Sequence, residues 1–344
     1  MMQGKGVVFV TGDRLGNQLS ELLTQAGCQV IRGPESNPPA MTILPPEEWP
    51  RLFGETDVVV VSPRDFCSRA IMASAPRLRA VVSPVIGVDT IDMDAANEMG
   101  LIVGHGAMPE NYLGVSESTV MLIAALLLDL HGKEKILRSN APRPARLKAR
   151  MVRGKTIGLI GMGRTARGVV ERLAGWGVNI QAHDPYVSQA QAPAGVAMVE
   201  LPGLLSSSDV VSVHVTLTSE TRHMLGAAEL RAMRADAFLI NTARGPAVDE
   251  QALYHVLKSG HLAGAAVDVF EQEPLPPESL LRELDNVILT PHMVGHSQEL
   301  NAAIPPAAAE NVLRVLRGEL PLYVKNPEVV AAWRLRLASL DTLR

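Results

Sequence analysis

Arg244, Glu273 and His292 are the three residues whose types could do chemistry together in this sequence. A guanidinium can grip a carboxylate with two hydrogen bonds and polarise the carbonyl beside it. An imidazole can exchange the proton that accompanies a hydride, and a neighbouring carboxylate fixes the ring's tautomer and favours its charged form. Taken singly, each has a plain explanation: an Arg or Glu in a loop is a solvated surface group, and a His after Pro is a hydrogen-bonded structural residue. Their positions say more. Arg244 follows the run LINTA, Glu273 lies five residues beyond the Asp268 that follows AGAAV, and His292 follows ILTP. In an open parallel α/β sheet, ligands bind beyond the carboxyl ends of the strands, so topology alone brings all three to one edge.

The element that must position a partner for them is Lys155 to Pro185, which reads as one β-α-β unit. Thr156, Ile157, Leu159 and Ile160 form an apolar run of strand length, and Gly161-Met162-Gly163 breaks it where the chain turns. A helix follows, carrying Val169, Val170, Leu173, Ala174 and Trp176, with Gly177 expected as its left-handed cap. Gly161, Gly163 and Ala166 fit the pattern G-x-G-x-x-G/A: the first for the turn, the second for close approach of a pyrophosphate, the third for packing of helix on strand. The helix start adds unpaired N–H groups and a positive dipole end. Asp184 stands 23 residues after Gly161, at the end of the next strand, where it can accept the ribose hydroxyls of an adenosine. Its plain reading is a turn former before Pro185. A carboxylate there repels a 2′-phosphate, so the spacing points to NAD rather than NADP.

Strand and helix signals alternate on both sides of this unit. Residues 1–115 offer Val7 to Val10, a helix around Asn17 to Ala26, Val30-Ile31, Val58 to Val61 and Ala80 to Ser83, with a Pro-rich loop from Pro34 to Pro50. After the nucleotide unit come Val210 to Val215, Phe238 to Thr242, Ala265 to Val269 and Val287 to Leu289, then a helix from about Leu300 to Leu316 and a tail. The expectation is two Rossmann-like doubly wound parallel-sheet domains. Residues 116–296 form the dinucleotide-binding domain; residues 1–115 and 297–344 form a discontinuous, flavodoxin-like substrate domain.

Composition excludes other classes. At 344 residues, 47% apolar and 20% charged, the chain suits two globular domains. A net charge of −4 gives no electrostatic case for nucleic acid or an anionic membrane. Cys28 and Cys67 neither pair obviously nor fall at metal-ligand spacing, and no cleavable signal is visible, so a cytoplasmic, metal-free protein is expected. The most apolar run, Val120 to Leu128, is too short for a bilayer.

These motifs together resemble the D-isomer-specific 2-hydroxyacid dehydrogenases, from about Leu78 to Val330. GMGRTARGV resembles that family's nucleotide turn, HVTLTSETRHML the loop after its fourth strand, LINTARGPAVDEQAL its arginine motif, AGAAVDVFEQEPLP its acid motif and LTPHMVGHS its histidine motif. The resemblance implies that Arg244 binds substrate, that His292 is the acid/base and that Glu273 is its partner. It implies cofactor contacts at Gly161, Gly163, Arg164, Thr165, Asp184, Thr242, Ala243, Asp268 and Gly295, and carboxylate binding by the backbone N–H groups of Val85, Ile86 and Gly87. Thr216 stands where the family usually has Pro and Ala166 where Gly is usual, while GHGAMPENYLGVSES replaces a more typical stretch, with Asn111 and Glu117 keeping their spacing. Met108, Pro109 and Tyr112 belong to the loop that would face substrate, so the departures bear on substrate identity. From Val81 to Ser116 there is no Lys or Arg. A phosphate or second carboxylate on the substrate would need another cation, and Arg64 is the nearby candidate.

The activity implied is hydride transfer between NAD(H) and a small 2-hydroxy or 2-oxo acid. Two rivals share the motifs: a dehydrogenase of another donor such as formate or phosphite, and a non-enzymatic NAD(H)-sensing protein. Glu273 argues against formate, for which Gln beside the histidine is expected. Glu117 to Leu130 is apolar nearly all round, which predicts a homodimer through the dinucleotide-binding domain.

Overall fold

The structure is a computed structural model that describes residues 6–11, 16–33, 45–62 and 65–342. The chain divides into two compact units: Met1–Asn111 with Ser297–Arg344, and Tyr112–His296.

The first unit holds a parallel sheet of β1 (Val7–Val10), β2 (Gln29–Arg32), β3 (Val58–Val60), β4 (Ala80–Val82) and β5 (Ile102–Gly104), in the order β2-β1-β3-β4-β5. That is the flavodoxin-like order. Its central strands are continuous apolar runs because both faces are covered. Val8 and Val10 pack with Val312, Val315 and Trp333 on one side, while Phe9 packs with Phe53, Met72 and Leu78 on the other. The tail returns to this sheet. Asn326 accepts from the Val103 amide at 2.8 Å, and the buried Trp333 indole donates to the Arg79 carbonyl at 2.8 Å. The tail also contains a helix, Val330–Asp341, to which the sequence reading assigns no element.

In the second unit β6 (Thr156–Ile160), β7 (Asn179–His183), β8 (Val196–Met198), β9 (Val210–Val213), β10 (Phe238–Asn241), β11 (Gly264–Val267) and β12 (Val287–Leu289) form one parallel sheet. Its order is β12-β11-β10-β9-β6-β7-β8. Strand order reverses between β6 and β9, so the switch point of this doubly wound sheet falls at the Gly161 turn.

Two helices differ from the sequence reading. The helix after the nucleotide turn spans Arg164–Arg172 and ends before Trp176; Gly175 (φ 82°) and Gly177 (φ 68°) both adopt left-handed backbone beyond it. Two such glycines in three residues stop the helix earlier than apolar spacing suggests. The long apolar helix runs Pro109–Leu127 rather than from Glu117 to Leu130. Asp129, at φ 54°, breaks it, and a second helix Leu130–Arg138 follows. Pro109 fits the first helical position, where a missing N–H costs nothing. No single helix among the described residues is long and apolar enough to cross a membrane.

Candidate active site

At the end of β6, Gly161 has φ 94°, and a Cβ there would lie 2.8 Å from the His214 carbonyl oxygen, so no other residue fits. Gly163 caps the Arg164–Arg172 helix, and a Cβ built on it would meet nothing within 4 Å. Open space therefore lies over a helix N-terminus, which is what a pyrophosphate requires. Ala166 is fully buried against the sheet. Asp184 is tied to this turn: its Oδ2 accepts from the Met162 amide at 2.9 Å and its Oδ1 from the Tyr186 amide at 3.0 Å. Each carboxylate oxygen keeps a further lone pair. The guanidinium of Arg164 stacks over the Tyr112 ring at 5.2 Å, and the Thr165 carbonyl accepts from Ser116 Oγ at 2.9 Å. His214, at the end of β9, packs beneath the turn; burial pushes its imidazole down to about 4, so the ring is neutral there.

The residues after β10, β11 and β12 lie along neighbouring strands. Asn241 closes the arginine turn, donating from Nδ2 to the Arg244 carbonyl at 2.9 Å and accepting from the Ala243 amide at 3.1 Å. Thr242 is buried and 3.3 Å from Thr119 across its hydroxyl. A Cβ on Gly245 would sit 2.0 Å from the Phe270 carbonyl, so the arginine turn presses directly on the backbone of the acid segment. Arg244 is half-buried, its NH1 donating to the Ala243 carbonyl at 2.7 Å. Glu273 accepts from the Phe270 amide at 3.1 Å on one oxygen and meets His292 Nδ1 at 2.7 Å on the other. Nδ1 thus donates, which leaves Nε2 as the atom that can serve a ligand. Burial alone would raise the Glu273 carboxyl, but the hydrogen bond and charge of His292, the Phe270 amide and the charge of Arg244 outweigh it. The group titrates below the ordinary carboxylate value.

His292 itself has φ 55°, a left-handed conformation that costs a non-glycine residue on the order of 1 kcal/mol. Asp268 holds it there. Its backbone carbonyl accepts from the His292 amide at 2.7 Å. Its buried carboxylate accepts from Thr290 Oγ1 at 2.6 Å and from the Met293 and Val294 amides at 2.9 and 3.1 Å. The carboxylate of Asp268 is therefore engaged by the histidine loop, a role that sequence spacing did not disclose. Gly295 ends that loop in tight contact with the long helix, where a Cβ would lie 2.6 Å from Val115 Cγ2.

Val85, Ile86 and Gly87 belong to the first unit, after β4. Their carbonyls are engaged from within: Ser83 Oγ donates to Val85 and Gly87 at 3.0 and 2.7 Å, and His105 Nδ1 lies 3.1 Å from the Ile86 oxygen. Arg64, the candidate cation for a substrate phosphate or carboxylate, lies outside the described residues.

Two parallel α/β sheets, with a glycine turn at the switch point of one and an Arg, Glu and His set on its neighbouring strands, define a dinucleotide-dependent dehydrogenase. The family model of the D-isomer specific 2-hydroxyacid dehydrogenase, NAD binding domain, matches residues 120–294. A glyoxylate reductase of Thermofilum pendens is 38% identical over 293 residues, 83% of this chain and 85% of that protein. A D-3-phosphoglycerate dehydrogenase of Methanocaldococcus jannaschii is 37% identical over 287 residues, 83% of this chain and 54% of the relative. The crystal structure of a glyoxylate reductase from Paecilomyes thermophila superposes with a TM-score of 0.83 at 25% identity, covering 94% of this chain and 98% of that one. The chain belongs to the D-isomer specific 2-hydroxyacid dehydrogenase family. It is an NAD-dependent oxidoreductase that moves a hydride between NAD(H) and a 2-hydroxy acid or its 2-oxo counterpart.

Proposed function

We propose that this enzyme reduces a small, unphosphorylated 2-oxo acid of the glyoxylate or hydroxypyruvate type, with His292, Glu273 and Arg244 as its catalytic set. The observation that carries the reading is the 2.7 Å contact between His292 Nδ1 and Glu273, beside Arg244. The bound cofactor supplies the hydride. His292 Nε2 delivers the proton to the carbonyl oxygen, Glu273 holds the imidazole in the donating tautomer, and Arg244 grips the carboxylate and polarises the carbonyl. Val85, Ile86 and Gly87 are the substrate contacts proposed in the first unit, their carbonyls engaged there by Ser83, Gly106 and His105. The absence of Lys and Arg between Val81 and Ser116 supports an uncharged substituent. So does the Thermofilum pendens relative, named a glyoxylate reductase. A panel of glyoxylate, hydroxypyruvate, pyruvate, phenylpyruvate and phosphohydroxypyruvate, followed by NADH absorbance, tests this. Glyoxylate or hydroxypyruvate should show the highest kcat/KM; a preference for phosphohydroxypyruvate would contradict the reading.

Asp184 selects NAD over NADP by accepting both ribose hydroxyls. Asp184→Ala should weaken NADH binding by roughly 10- to 100-fold, the worth of lost hydrogen bonds to a charged group, and narrow the preference. Equal turnover of both cofactors by the parent enzyme would refute the assignment.

The active species is a cytoplasmic homodimer. In the long helix Val120, Leu122, Ile123 and Leu127 are buried with Ile157 and Leu159, yet Met121 and Leu128 stay exposed. Leu137 and Leu147, in the same unit, are 83% and 79% exposed. Large apolar side chains left in water on one unit fit a second copy of the chain. Light scattering at micromolar concentration should give twice the 36.9 kDa chain mass; a monomer would dispose of the idea. Cys28 and Cys67 are buried thiols not joined in a disulfide, which fits a reducing compartment.

A further inference from the structure

Behind the Glu273–His292 pair lies a second group of charges that the reaction above does not use. The Glu250 amide donates to Glu271 Oε1 at 3.2 Å, and the Glu271 amide donates back to Glu250 Oε1. His223 Nε2 is 3.1 Å from the same Glu271 oxygen. These residues come from three separate stretches. His223 sits in the loop before Leu225, its amide bound to the Pro246 carbonyl at 2.7 Å. Glu250 opens the Glu250–Lys258 helix that follows the arginine turn, and Glu271 lies two residues before Glu273. The Glu271 carboxylate thus meets a first-turn N–H of that helix, at the end whose dipole favours an anion. Together with the contact of Gly245 on Phe270, the exchange fastens the acid segment to the arginine turn at two points. The charged groups bearing on Glu273 are His292, Arg244 and Glu250; those bearing on Glu271 are His223 and Glu250. Burial raises the Glu250 carboxyl; the Glu271 amide opposes this, and the charges of Glu271 and Glu273 add to it.

We propose that Glu271 is a positioning residue for the catalytic pair: bridging the Glu250 amide and His223, it fixes the turn that aims Glu273 at His292, and so governs the hydrogen bond through which Glu273 acts on the imidazole. This rests on the catalytic reading of His292 and Glu273. The test compares Glu271→Ala and Glu271→Gln in the full-length enzyme by kcat, KM, NADH affinity and the pH profile of reduction. Glu271→Ala should lower kcat by roughly 10-fold or more, as small misplacements of catalytic groups do, with NADH affinity unchanged. Glu271→Gln retains an acceptor oxygen for the Glu250 amide and should keep most of kcat at the optimum. Its alkaline limit for reduction should nevertheless fall to lower pH, in the direction of Glu273→Gln but less far. Parent-like kcat and pH profile in both variants would overturn the proposal. Equal losses in both with an unmoved alkaline limit would overturn the positioning role and reduce Glu271 to packing. If Glu271→Ala fails to fold, the pH profile of Glu271→Gln still decides. His292→Gln serves as the separate control: full activity there would sink the catalytic reading itself, whereas an inactive His292→Gln beside parent-like Glu271 variants would sink this inference alone.

Discussion

Replacing His292 by Gln lowers kcat for 2-oxo acid reduction by roughly 10²–10⁴-fold, the usual worth of a positioned acid, and leaves NADH affinity nearly unchanged. The amide keeps approximate size and can hydrogen-bond, but it has no proton to give at neutral pH. The split is expected because His292 lies after β12, whereas the glycine turn and Asp184 lie after β6 and β7, across the switch point. Glu273→Gln should behave differently. Without a negative partner the neutral imidazole is favoured, so the alkaline limit of reduction moves to lower pH. The acid side follows from the carboxyl itself. Because its folded-state pKa is depressed, the interaction is in place above the ordinary carboxylate value and is lost as pH falls through the lowered one. Both limits are read from one pH profile of kcat/KM with the parent and the two variants.

Replacing Arg244 by Ala lowers kcat/KM by roughly 10³-fold or more, combining a raised KM for the oxo acid with a slower chemical step. The loss falls on both because the guanidinium grips the carboxylate in the ground state and meets growing charge on the carbonyl oxygen in the transition state. Arg244→Lys should recover little, since a single ammonium cannot reproduce a two-pronged grip. Steady-state kinetics with glyoxylate check this; a change in KM alone would make Arg244 a binding group with no part in the chemical step.

Much of this arrangement is legible in one dimension. Parallel strands covered on both faces read as apolar runs, so Val58 to Val61 and Phe238 to Thr242 stand out, and strand ends then mark where Arg244 and His292 emerge. β5 (Ile102–Gly104) and β8 (Val196–Met198) are the strands that escape. The helix ends escape because left-handed backbone at Gly175 and Asp129 is a local choice that apolar spacing does not record. Roles that depend on through-space partners escape altogether. Glu250 and Glu271 are 21 residues apart and look like solvated acids until their amides are seen to be exchanged. Asp268 belongs to the acid motif by sequence, yet its carboxylate gathers the 290–294 loop from the next strand.

Proton donation from His292 while hydride reaches a 2-oxo acid is open to a single-turnover measurement. Enzyme loaded with NADH is mixed with glyoxylate, and NADH absorbance is followed for the parent and for His292→Gln. Absorbance should fall rapidly with the parent and at least about 100-fold more slowly in the variant, with equal amounts of NADH bound at the start. Equal rates in the two proteins, or no oxidation of bound NADH by any 2-oxo acid of the panel, would contradict it.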